Sequence, residues 1–135
     1  MSIVAIETAL EQHLLTMASL PPTAWEDVSF TPEVGTPYIA LHHLHNAPRD
    51  LSQERGLTEY PGIFQVSVMY PAGQGKVQAK LLAERIASHF APVQLLSAGN
   101  HSVEIADTPH IASGQPTEDG WYMVPVSIYW RAMPD

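Results

Sequence analysis

Cysteine is absent from the 135-residue chain. That excludes disulfides, thiolate metal clusters and a cysteine nucleophile, and it leaves the redox compartment unmarked. Basic charge is scarce: six Lys plus Arg stand against fourteen Asp plus Glu, for a net charge of −8. A sequence-independent grip on phosphate backbones through counterion release is therefore disfavoured. No segment approaches the roughly 20 apolar residues of a membrane helix, and no basic n-region precedes an apolar run at the N-terminus, so neither membrane anchorage nor export is expected. Catalytic signatures are missing too. There is no Gly-x-Ser-x-Gly elbow and no His-Glu-x-x-His helix, and Ser113 has no evident base nearby in sequence. Gly73-Gln74-Gly75-Lys76 imitates a phosphate loop, but Tyr70 stands where the first glycine belongs and Val77 where Ser or Thr is required. A plain strand-to-helix turn accounts for it. Glu26-Asp27 and Glu118-Asp119 are chain neighbours, whose side chains diverge on a strand, so neither is a ready acid/base dyad.

What is present is a foldable core. Apolar residues make up 45% and charged residues 15%, which fits one globular domain over residues 1–135. Ser2 can cap a helix whose stripe is Ile3, Ile6, Leu10, Leu14 and Met17, and Pro21-Pro22 stops it. Ala24 to Phe30 is a short strand candidate, and Tyr38 to His45 a second. Residues 46–58 form a long polar loop carrying Pro48, Arg49, Asp50, Glu54, Arg55 and Gly56; loops of that length tend to be functional or mobile. Gly62 to Tyr70 alternates as a central strand, with Phe64, Val66, Val68 and Tyr70 on one face. A second helix has the stripe Ala79, Leu82, Ala83, Ile86 and Phe90. Val93 to Ser97 and His101 to Ala106 flank a hairpin turn, and a second loop spans Asp107 to Gly120. In the last strand Tyr122, Val124, Val126, Ile128 and Trp130 share a face and Arg131 points away. The order predicts an α+β fold, two helices packed on one face of a mixed, largely antiparallel sheet.

Two residue groups invite a functional reading. On a strand His43 and His45 share a face while His42 faces the other way, so the first two could offer imidazoles to a metal. A metal site needs further ligands, and ordinary surface or contact histidines are the simpler account, so no metal is assigned. The large aromatics near loop ends, Trp25, Tyr60, Trp121 and Trp130, suit packing or a protein interface.

Three stretches carry a family resemblance. They are Thr23-Ala24-Trp25-Glu26 through Phe30-Thr31-Pro32 with Gly35-Thr36-Pro37-Tyr38; Gly62-Ile63-Phe64-Gln65-Val66 with Pro71-Ala72-Gly73; and Glu118-Asp119-Gly120-Trp121-Tyr122 with Val124-Pro125-Val126-Ser127-Ile128 and Trp130-Arg131. In order and joint occurrence, over residues 3–131, they resemble a small phage and prophage family related to the tail terminators of long, flexible-tailed bacteriophages.

The resemblance implies a structural virion protein rather than an enzyme. Such proteins form a six-membered ring on the head-proximal end of the tail tube, stop its polymerisation and join the head–tail connector. The partners implied are further copies of the chain, the tail tube protein and the connector protein, with assembly in the bacterial host cytoplasm. No cofactor and no specific nucleic-acid binding are expected, although DNA would pass through the ring, where an acidic lumen disfavours adhesion. Leu51, Arg55, Tyr60, Trp121 and Arg131 are the candidate subunit or tube contacts. The plainer readings are strand-end packing for Tyr60, a sheet-edge residue for Trp121 and a solvated loop charge for Arg49 or Arg55. Two other functions compete: another neck or tail-completion protein, and a histidine-dependent metalloenzyme, which would carry stoichiometric metal through His43 and His45.

Overall fold

A computed structural model describes residues 2–50, 58–99 and 101–134. Ser2 Oγ accepts the Ala5 N–H at 3.1 Å and caps α1 (Ile3–Leu15), satisfying a donor that the first helical turn leaves unpaired. Ile6, Ala9, Leu10 and Leu14 of α1 are buried, whereas Ile3 is exposed, so the inward stripe starts one turn later than the sequence periodicity predicts. The expected strand over Ala24–Phe30 is reduced to β1 (Thr23–Ala24). Beyond it the chain turns, with the Val28 N–H donating to the Trp25 carbonyl and Asp27 in the left-handed region. A turn uses up the backbone groups that a longer ladder would need.

β1 lies parallel to β2 (Tyr38–His45), which runs antiparallel to β4 (Thr58–Pro71). Between them the expected polar loop begins and ends in a ladder: β3 (Arg49–Asp50) pairs with Glu59 and Thr58, which extends β4 four residues beyond the predicted start at Gly62. A turn through Ala72 and Gly75 leads into α2 (Val77–His89), so the phosphate-loop look-alike is a strand-to-helix connection. β5 (Leu95–Ala98) and β6 (His101–Ile105) form the predicted hairpin. The second loop also contributes strands, β7 (His110–Ile111) and β8 (Gln115–Pro116), both laid along β9 (Trp121–Pro134).

The main path across the sheet is β1-β2-β4-β9-β6-β5, with β3, β7 and β8 paired at its side. Among the described residues, every pairing other than β1 with β2 is antiparallel. The fold is thus the expected α+β arrangement, its two helices on one face of a mixed, curled sheet. Helix α2 lies over β4 and β9, and α1 lies beside β5 and β6. The shared core contains Phe64, Val66 and Val68 of β4, Val124, Val126, Ile128 and Trp130 of β9, and the helical Leu10, Leu14, Leu82 and Ile86.

The helix C-termini are joined by a reciprocal clasp. His13 Nε2 lies 2.8 Å from the His89 carbonyl, and His89 Nε2 lies 2.7 Å from the His13 carbonyl. The rings stack with centroids 4.2 Å apart. Each imidazole meets a last-turn carbonyl of the other helix, where the negative end of the helix dipole attracts an N–H donor, and the His13 carbonyl also accepts from the Thr16 N–H and hydroxyl.

Candidate functional site

Alternation along β9 puts Trp130 and Ala132 on the helix-covered face and Trp121, Tyr129 and Arg131 on the outer one. Arg131 does not stand alone there. It pairs with Glu104, its cross-strand neighbour on β6, and its Nη1 lies 3.8 Å from Glu59 Oε2. Arg49 holds the other oxygen of Glu59, with Nε at 3.1 Å and Nη2 also engaged. The Glu59 side chain is only 5% exposed. A carboxylate can be buried to that extent because two guanidiniums compensate it. The network ties β3, β4, β6 and β9 together beside a hollow of about 400 Å3 whose walls include Asn46, Pro61, Asp107 and Tyr129.

Ten residues earlier on β9, Trp121 packs edge-on against Tyr38, with ring centroids 4.9 Å apart. Together with Pro32, Val34, Pro71 and Asp119 they line a second hollow of about 390 Å3. The Tyr38 phenol is pushed above its ordinary value by burial and, secondarily, by the Asp119 carboxylate. Negative potential therefore reaches into a hollow lined by aromatic rings and prolines.

Among the described residues, the sequence-predicted contacts Tyr60, Trp121 and Arg131 do not form one site. Trp121 and Arg131 share the outer face but are separated by roughly 33 Å of strand, at about 3.3 Å per residue. Tyr60 pairs with Ala132 and packs against the core from the inner face. Leu51 and Arg55 lie outside the described residues. His43 and His45 do share a face, as predicted, but each meets a carboxylate of α1. His43 Nε2 is 2.8 Å from Glu11 Oε2, and His45 Nε2 is 2.7 Å from Glu7 Oε2. His43 stacks on Phe64, and His45 meets the edge of Trp130.

Sequence reasoning missed Glu7, Glu11, Glu59, Glu104 and the His13–His89 clasp. One signal for the first two was available. Residues four apart on a helix and two apart on a strand are both separated by roughly 6–7 Å, so Glu7 and Glu11 match the pitch of His45 and His43.

No curated protein matches the chain. One solved protein is 25% identical, covering 98% of this chain and 96% of its own, with a TM-score of 0.76. Another is a component of the virion of a native gene transfer agent particle, 20% identical with 98% of each chain covered and a TM-score of 0.60; at that identity the likeness is one of fold. Residues 5–130 match the family model described as phage tail terminator protein.

Proposed function

The chain belongs to the phage tail terminator family, and from that premise we propose that it closes the head-proximal end of a tail tube as a hexameric ring, stops tube growth and meets the head–tail connector. That it is a structural component of the tail follows from the family itself. The match over residues 5–130 is the observation that carries the reading. The role we assign is architectural, not catalytic.

Three features support it. The sheet face away from the helices carries half-buried and exposed side chains, among them Ile63, Tyr129 and the half-exposed Leu44, and neither helix covers it. The two ends of the sheet differ, β1 at one and β5 at the other, and a closed ring of identical chains needs two different, complementary surfaces. The net charge of −8 suits a lumen that DNA crosses without adhering. In this reading Trp121 and Arg131, far apart on the outer face, serve different contacts, and Tyr60 braces the strand end that carries Glu59.

Native mass spectrometry of the purified protein, with and without its cognate tail tube protein, tests the proposal. A closed six-copy species, or one that forms only on the tube and halts its growth, is the expected result. A monomer that ignores tube protein and leaves tube length unregulated would overturn it.

A further inference from the structure

The face shared by α1 and β2 gathers more negative charge than the ring-forming reading uses. Glu7 and Glu11 project from α1, and Glu26 follows β1. One carboxylate oxygen each of Glu7 and Glu26 and one imidazole nitrogen of His43 all lie within 4.8 Å of one another. Glu11 reaches the same imidazole through Nε2, and Glu7 is held by His45. Among the described residues no Lys or Arg pairs with any of these three carboxylates. Like charges held that close repel unless a cation lies between them.

A second, independent observation comes from the imidazole. The His43 side chain is 1% exposed, and its Nδ1 is buried with no hydrogen-bond partner. A buried nitrogen left unpaired costs free energy unless something fills its place. With Nε2 engaged by Glu11, Nδ1 is the ring nitrogen left without a partner, and a carboxylate on one ring nitrogen is the usual way a ligating histidine is oriented.

We propose that Glu7, Glu26 and His43 form a binding site for a divalent transition-metal ion, zinc being the first choice, with Glu11 and His45 as the groups that position the ligands. Mixed oxygen and imidazole donors select this class over magnesium or calcium, which take oxygen ligands. The ion would tie three separate pieces of chain together: α1, the segment after β1, and the middle of β2. The site differs from the one weighed from sequence, because His43 and His45 are not joint ligands; one ligates and the other steadies a carboxylate.

The test uses the full-length protein and zinc ion alone. Elemental analysis after gel filtration in metal-free buffer, with isothermal titration calorimetry, should find one zinc per chain, undisplaced by excess magnesium. Glu26→Gln changes an exposed side chain and so spares folding; it should weaken zinc binding at least about tenfold, and Glu11→Gln roughly 10–100-fold. His43→Gln should abolish binding, while His42→Gln, on the opposite face, should leave it unchanged. Absence of stoichiometric zinc in the wild type, or equal binding by wild type, Glu26→Gln and His43→Gln, would overturn the proposal. Neither result bears on whether the protein terminates tubes, which is read separately from ring formation.

Discussion

Tyr38 shows how one side chain reports on its surroundings. Its phenol is raised above the ordinary tyrosine value of 10.0 by burial first and by the Asp119 charge second, so the ionised form is disfavoured in the folded state. The sign of the linkage follows. Above about pH 10 the unfolded chain gives up this proton before the folded chain does, so the stabilisation is complete below that pH and is lost as pH rises through the folded value. Replacing Asp119 with Asn should lower the phenol's titration midpoint and reduce the alkaline loss of stability. Ultraviolet titration of the phenolate band, with denaturant melts on either side of pH 10, would check both effects. An unchanged midpoint in Asp119→Asn would mean that burial acts alone. Glu59 makes a related point. Its acidity and its place two residues before Pro61 are plain in the sequence, but nothing there marks it as the buried member of a four-residue ion network.

Gly62 of β4 faces both β2 and β9, opposite His45 and Trp130. A Cβ there would sit 2.2 Å from Trp130 Cζ2 and 2.9 Å from the Leu44 carbonyl, closer than real Cβ atoms come. The indole of Trp130 covers the space a side chain would occupy, so the glycine is required by contact rather than by an unusual backbone angle. Gly62→Ala should therefore destabilise the protein by about 1–3 kcal/mol, the usual cost of overpacking. Thermal or denaturant melts would show this, and a neutral effect would mean that the indole can move aside. The inward stripes of both helices and of β9 were legible because burial imposes its period directly on sequence. β3, β7 and β8 were not, since two-residue strands carry no periodicity and exist only because a long neighbour offers them free backbone groups.

Charge acts on the molecule as a unit. The net charge of −8 at pH 7 falls to zero at the isoelectric point of about 5.2. Solubility should fall between about pH 6 and 5 as mutual repulsion fades. Light scattering against pH would show the rise in association, and a flat profile would mean that shape, not charge, keeps the chains apart. The same repulsion should make isolated chains slow to close into a ring at low ionic strength, with added salt easing assembly by screening.

Local pattern sufficed for the Ser2 cap, most of both helix stripes, the body of the central strand, and the last strand with its outward Arg131, because each depends on a single element. The ordered arrangement of three sequence stretches pointed to the tail terminator family, which the match over residues 5–130 then showed. Which residues meet was decided only when the elements packed. Trp121 and Arg131 were separated by the length of β9, Tyr60 was turned inward by strand parity, and Glu7 and Glu11 of α1 and Glu26 after β1 were gathered at His43 of β2. Side-chain convergence depends on strand order and register, and those are set by the joint burial of all the apolar faces at once rather than by any one stretch of chain.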